Sequence, residues 1–249
     1  MRVLRVGNSN DDAGGLPEEQ RAWHIAARLL SERTGEPVDT ILKRGWPTAE
    51  FATALGRWMD ELEPEFVVLQ VNNFWYGHES VPLWFERRFG GAGKSVTRVG
   101  KAVGNSPLFA ERPWGLFANR TLLRALPGAT HFTPAEVAAA MEAAMRKVLA
   151  HERAVLMVRG HENWAELPMA GKRHNRRNAA RNAAMSVAMR EVCDRLHVPY
   201  FERPPVTARE LKASLGTSRY HNSAHGEQAI GEFDGEAMAS AWMAARPSN

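Results

Sequence analysis

Cysteine is almost absent from this chain of 249 residues, because Cys193 is the only one. A single cysteine excludes an intrachain disulfide and favours a reducing compartment. Long apolar runs are also missing, so no stretch could span a membrane. The segment after Arg2 is too short and too interrupted for the apolar core of a signal peptide. We therefore expect a cytoplasmic protein.

Metal-binding motifs are missing as well. His221 and His225 are four residues apart, but the chain has neither an HExxH pattern nor a pair of cysteines to complete a site. We predict no metal and no other cofactor. Internal repeats and low-complexity linkers are absent, and a chain of this length can form one large α/β domain.

Strand-like and helix-like segments alternate along the chain, which predicts a parallel sheet with helices on both faces. The clearest strand is the apolar run from Phe66 to Val71, which is typical of a strand buried on both faces. The predicted strands are 3–6, 37–42, 66–71, 154–158 and 198–202. The predicted helices begin at 17 and 133 or cover 48–61, 178–196, 207–215 and 226–245. We predict an α/β fold of three layers around a mainly parallel, five-stranded sheet.

Polar residues fall where ligands bind in such a sheet, beyond the carboxyl ends of the strands. Ser9 follows the first strand, Asn72 and Asn73 follow the third, and His221 precedes the last helix. A neutral imidazole can activate a serine hydroxyl, and an amide can stabilise the resulting oxyanion. Gly45, after the second strand, would let the backbone approach a ligand closely. Each residue alone could be a turn or capping residue, so the catalytic interpretation depends on their occurring together.

The motifs around these residues resemble those of the SGNH or GDSL-like hydrolases. That family has Gly-Asp-Ser after the first strand, Gly after the second, Gly-x-Asn-Asp after the third and Asp-x-x-His before the last helix. The similar segments here are Gly7-Asn8-Ser9, Gly45, Val71-Asn72-Asn73 and Ser218-Arg219-Tyr220-His221. The resemblance covers about residues 1–73 and 153–245. It implies a flavodoxin-like sheet, Ser9 as nucleophile, His221 as base, and Gly45 with an asparagine as oxyanion donors.

Two departures from the family pattern concern the chemistry. No glycine precedes the asparagines, so Asn72 or Asn73 could be the oxyanion donor, and we prefer Asn72. Ser218 stands where the family has the aspartate that orients the histidine, and serine cannot carry that negative charge. A backbone carbonyl or a more remote acid would then orient His221, or the enzyme would be slow.

The resemblance predicts an SGNH-type esterase that cleaves a small-molecule or glycan ester through an acyl-enzyme intermediate. An O-acyltransferase would use the same serine and transfer the acyl group to an acceptor other than water. A protein of another class, a non-catalytic binding protein for an anionic ligand, would keep the fold without the reaction. The sequence does not predict the oligomeric state.

Basic residues are concentrated outside the resembling motifs. The segment 74–131 is aromatic and basic, and we interpret it as an insertion into a single domain, 1–249. It is either a cap over the catalytic face or a subdomain that completes the core. The run from Lys172 to Arg177, with Arg181, could contact phosphates or anionic lipid heads, or could be a solvated loop and helix start. No aromatic residues are interleaved with this run, so we do not expect nucleic-acid binding.

Overall fold

The structure is a computed structural model, and it describes residues 1–7, 11, 16–104, 121, 128–161, 172–204, 210, 213–214 and 222–246, without the side chains of 96, 97 and 99–104. The chain forms two compact units. The sheet unit comprises Met1–Asn72, Ala135–Trp164 and Met185–Asn249. The inserted unit comprises Asn73–Pro134 and Ala165–Ala184, and so includes the aromatic, basic segment 74–131.

Five parallel strands form one sheet in the order β2-β1-β3-β4-β5. The strands are β1 (Arg2–Gly7), β2 (Asp39–Arg44), β3 (Phe66–Gln70), β4 (Val155–Arg159) and β5 (Tyr200–Phe201). Every residue of the central strand β3 is buried, as expected for a parallel sheet that helices cover on both faces. The predicted sheet is confirmed. β5 is shorter than predicted and begins after Pro199, which lacks the N–H that a ladder needs.

Helices connect and flank the strands. They are α1 (Ala22–Thr34), α2 (Glu50–Leu62), α3 (Asn73–Tyr76), α4 (Val81–Gly104), α5 (Pro134–Leu149), α6 (Lys172–Leu196) and α7 (Ala224–Ala245). A 3-10 turn at Glu18–Gln20 precedes α1, where the sequence predicts the helix start. α4 is interrupted at Gly90, whose φ is +55°. Among the described residues, no helix is long and apolar enough to cross a membrane.

The start of α6 differs from the prediction of 178. The helix begins at Lys172, so the basic run forms its first turns and is not a loop. Positive charge at a helix N-terminus opposes the helix dipole, which is why the sequence places the start later. The predicted helix at 207–215 lies mostly outside the described residues.

α1 packs closely against α7. A Cβ atom on Gly231 of α7 would lie 2.6 Å from Ile25 Cβ, and one on Gly235 would lie 2.7 Å from Leu29 Cβ. Both glycines therefore let the two helices approach closely. α1 leads from the end of β1 to the start of the parallel strand β2 and so begins at the carboxyl edge of the sheet, where its Ala22 N–H donates to Glu227 of α7 at 2.7 Å.

Candidate active site

The carboxyl ends of the strands form one row across the sheet. Gly7 pairs with Arg44, Gln70 pairs with Arg159, and Arg159 pairs with Phe201. In open parallel sheets, ligands bind just beyond such a row. The residues that follow it are therefore the first candidates for a functional site.

The sequence-predicted site residues fall into two groups. Gly45, Asn72 and Asn73 are described, whereas Ser9, Ser218 and His221 lie outside the described residues. Gly45 comes one residue after the row and Asn72 two residues after it. Both therefore lie at the edge where the chemistry was predicted.

Gly45 has a packing reason to be glycine. A Cβ atom at this position would lie 2.6 Å from the Phe51 ring and 2.9 Å from Val6 Cγ1. Both distances are too short for a side chain, so any larger residue would move the chain at the end of β2. The absence of a side chain also leaves the Gly45 backbone accessible at this end of the strand.

Asn73 is part of a polar cluster inside the inserted unit. Its Nδ2 donates to Asn178 Oδ1 at 3.3 Å and also to Asn182 Oδ1. All three asparagines are buried. The amide of Asn73 is therefore used in packing α3 against α6. The spacing of Asn178 and Asn182, four apart on one helix face, was the sequence signal for this cluster.

Glu79 binds part of the basic run in the same unit. Its carboxylate accepts from Arg181 Nη2 at 2.8 Å and from Arg177 Nη1 at 3.4 Å. His174 Nδ1 lies 3.6 Å from the second oxygen. Burial and the nearby His174 lower the pKa of His78 to about 4, so His78 is neutral at pH 7.

The serine segment (residues 8–10, with Ser9 at its centre) is flanked by two described residues, Gly7 and Asp11. β1 ends at Gly7. Asp11 follows the segment, accepting from Arg5 Nε at 3.1 Å through its carboxylate and from Arg21 Nη1 at 3.1 Å through its carbonyl. The Asp11 carboxylate lies so close to Gly7 that a Cβ atom there would be 1.7 Å from Oδ2. Gly7 is therefore required by the return of Asp11 to the sheet.

The histidine segment (residues 218–221, ending at His221) is followed directly by anchored residues. Asn222 is buried, and its Nδ2 donates to Glu227 Oε1 at 2.7 Å. Ser223 is the N-cap of α7, and its Oγ accepts from the Gly226 N–H at 3.2 Å. A cap of this kind contributes about 1 kcal/mol to helix stability. The residues that directly follow the histidine segment are thus fixed at the beginning of α7.

Hydrogen bonds tie the anchors of both segments to the beginning of α1. Glu227, which binds the anchor of the histidine segment, also accepts from the Ala22 N–H at 2.7 Å. The neighbouring Arg21 binds the carbonyl of Asp11, the anchor of the serine segment. One helix terminus at the carboxyl edge of the sheet therefore binds described residues that follow each of the two segments.

A buried network of charges lies beneath this edge. Asp234 of α7 accepts from Arg5 Nη1 at 2.8 Å and from Arg159 Nε at 2.9 Å. Burial opposes the charge of Asp234, but Arg159 and Arg5 lower its pKa below the ordinary value, so it is ionised. The network joins β1, β4 and α7. Sequence reasoning missed it, although an arginine within the apolar strand β1 and another at the end of β4 were a signal.

His161 and Glu202 form a second feature that sequence reasoning missed. His161 follows β4 by two residues and Glu202 follows β5 directly, with 3.9 Å between Nδ1 and Oε1. Burial lowers the pKa of His161 to about 4, against the opposing effect of Glu202. Glu202 also accepts from Ser186 and Arg190. A pKa of about 4 keeps the His161 imidazole neutral at pH 7.

The described ranges contain no group of three or more His, Cys, Asp or Glu side chains that could hold a metal ion. The polar groups at the sheet edge can donate hydrogen bonds and exchange protons.

Solved structures are similar to this chain over almost its whole length, whereas no family model and no curated protein sequence matches it. TesA is 13% identical, with a TM-score of 0.58, covering 97% of this chain and 99% of that chain. Est24, a carbohydrate acetylesterase from Sinorhizobium meliloti, is 14% identical, with a TM-score of 0.54 and coverages of 96% and 98%. The aryl esterase of M. smegmatis is 12% identical, with a TM-score of 0.53 and coverages of 96% and 98%. This chain has the SGNH/GDSL-like hydrolase fold that its sequence motifs predict.

Proposed function

We propose that this protein is a serine hydrolase that cleaves an ester or O-acyl group, with Ser9 as nucleophile and His221 as base. The main support for the proposal is that the beginning of α1 binds the anchors of both the serine and the histidine segment. Residues far apart in sequence are thereby connected at the edge where parallel sheets bind ligands. Est24 and the aryl esterase, which share the fold, are esterases, and this supports the same reaction class.

The reaction proceeds in two steps through an acyl-enzyme. His221 removes the hydroxyl proton as Ser9 Oγ attacks the acyl carbon, and the carbonyl oxygen becomes an oxyanion. When that oxyanion collapses, the bond to the alcohol breaks and the imidazolium returns its proton to the leaving oxygen. Water then attacks the acyl-serine with the help of the same base, and the acid is released.

Asn72 is the asparagine best suited to stabilise the oxyanion. It follows β3 by two residues, at the same edge as Gly45. Asn73 is less suited, because its Nδ2 already donates to Asn178 and Asn182. We propose the Asn72 amide and the Gly45 N–H as the two donors, since rigid donors are what a developing oxyanion requires.

Ser218 leaves His221 without the aspartate that the family pattern provides. Asp234 on the last helix does not take this role, because Arg5 and Arg159 bind its two carboxylate oxygens inside the core. We propose that a backbone carbonyl or another acid orients the imidazole. The rate would then be lower than with an aspartate at 218, because less charge stabilises the imidazolium.

The test is ester hydrolysis by purified variants. Ser9→Ala and His221→Ala should each lower kcat by about 10⁴- to 10⁶-fold on a short acyl ester. Ser223→Ala is the matched control, because it removes a nearby serine that caps α7 and so affects stability more than chemistry. Hydrolysis by folded Ser9→Ala at the wild-type rate would contradict the proposal.

A further inference from the structure

Charge is divided unequally between the two units. The inserted unit has thirteen Lys and Arg residues against four Asp and Glu, a formal net charge of +9. The sheet unit has nineteen against twenty-four, a net charge of −5, and the two sum to the +4 of the whole chain. A positive surplus of this size on one small unit attracts anionic partners. The net charge of the whole chain does not reveal this surplus, because the sheet unit is negative.

Part of this surplus lies exposed on the first turns of α6. Lys172, Arg173 and Arg176 are exposed there, and within the described part of the chain none of them forms an ion pair. Arg177 and Arg181, by contrast, bind Glu79. Positive charge in this position opposes the helix dipole, so these three side chains weaken the helix that carries them. An anionic partner would remove that cost.

A partly exposed aromatic cluster lies in the same unit, on the first half of α4. Trp84, Phe85 and Phe89 are in contact, with ring centroids 5.1 to 6.0 Å apart. Phe89 is 53% exposed, and its neighbours Arg87 and Arg88 are also exposed. Exposed aromatic side chains next to arginines on one helix are typical of helices that lie in a membrane interface.

The arrangement of the rings favours a membrane over a nucleic acid. Phe85 and Phe89 stack on each other at 29°, and Trp84 meets Phe89 edge-on at 85°. Stacking of bases requires ring faces that are open to solvent. A membrane interface requires only apolar area beside positive charge, which this cluster provides.

We propose that the inserted unit is a docking surface for anionic phospholipid membranes. The cations at the start of α6 and beside Phe89 attract the headgroups, and the aromatic cluster of α4 enters the interface. This inference is independent of the proposed esterase activity. It accounts for the exposed cations on α6 and for the exposed Phe89 on α4.

Vesicle binding of the full chain tests the electrostatic part. The protein should bind vesicles of phosphatidylcholine mixed with phosphatidylglycerol far better than pure phosphatidylcholine, and less well as salt is raised. Arg173→Glu with Arg176→Glu should weaken binding at least about 25-fold. These changes leave α6 folded, because acidic residues suit a helix N-terminus. The matched control, Lys147→Glu with Arg153→Glu, changes two exposed cations of the sheet unit by the same charge.

The control pair separates a local surface from an effect of net charge. It should bind vesicles within about twofold of the wild type, because it alters the same number of charges outside the proposed surface. Equal losses in both double variants would overturn the proposal. So would binding of duplex DNA by a protein that does not bind the mixed vesicles.

A second pair of variants tests the aromatic part. Phe89→Ser should weaken vesicle binding about fivefold, as expected for an apolar side chain that is half exposed before binding. Met243→Ser is the control, because Met243 is also 53% exposed but lies on α7 in the sheet unit. Unchanged binding by Phe89→Ser would overturn the membrane assignment and would indicate a polyanion held by charge alone.

Discussion

Asp234 is the residue whose loss should most weaken the sheet unit. Its carboxylate is fully buried and accepts from Arg5 at 2.8 Å and from Arg159 at 2.9 Å. In Asp234→Asn the shape is kept, but two buried guanidinium groups then face a neutral amide. Removing one partner of a buried ion pair costs about 3 to 5 kcal/mol. For a protein of this size the melting temperature should fall by about 6 to 20 °C.

Urea unfolding followed by circular dichroism measures this loss as a free energy of unfolding. Glu236→Gln is the matched control, because Glu236 lies on the same helix and pairs with Arg33 at 2.6 Å on the surface. That exposed pair should contribute little to the free energy of unfolding, because solvent screens it. A loss below about 1 kcal/mol for Asp234→Asn, similar to that of the control, would refute the reasoning.

The pH dependence of the difference in free energy of unfolding between the wild type and Asp234→Asn checks whether the buried ion pairs cause it. The arginines hold the pKa of Asp234 below its ordinary value in the folded state, so the carboxylate stabilises the protein above that ordinary value. This contribution is lost as the pH falls through the ordinary value toward the folded one. The difference between wild type and Asp234→Asn should therefore be constant from about pH 6 to pH 8 and shrink below about pH 5.

Three further predictions concern the candidate site and the inserted unit. Asn72→Ala should lower kcat by about 10²- to 10³-fold with little change in KM, whereas Asn73→Ala should mainly lower the melting temperature. Equal, small effects of the two variants on kcat would exclude both residues as oxyanion donors. The pKa of about 4 for His161 lies below its ordinary 6.5, so the free energy of unfolding should fall as the pH drops through this range, by about 2 kcal/mol at pH 5. His161→Gln should lack this part of the pH profile of unfolding. If the segment 74–131 caps the site, Trp84→Ala should slow the hydrolysis of long acyl esters more than that of acetyl esters, and a flat chain-length profile would contradict the cap. Trp75→Ala should instead lower stability, because it leaves a cavity at a position that is only 2% exposed.

The sheet was predictable because its signals are local. The apolar run of β3 and the alternation of strands and helices require no knowledge of distant residues. The start of α6 was not predictable in the same way, since its cations oppose the helix dipole. Only the structure shows that Glu79, about a hundred positions away, binds Arg177 and Arg181 and offsets part of that repulsion.

The candidate site was predictable only where a motif marks it. Gly45 and Asn72 follow strand ends that the sequence identifies. The side chains that hold the site together come from distant positions, since Arg5 and Asp234 are separated by 229 residues and Ala22 and Glu227 by 205. Such pairs are chosen by tertiary packing, and a single sequence contains no signal for the partner.

Covalent labelling with a fluorophosphonate tests the central claim most directly, because only an activated serine reacts with it at an appreciable rate. Mass spectrometry of the labelled protein should find the adduct on the peptide that contains Ser9. Labelling should be absent in Ser9→Ala and strongly slowed in His221→Ala, and the exposed Ser95 of α4 should stay unmodified. A folded protein that does not react, or a Ser9→Ala variant that reacts as fast as the wild type, would contradict the account.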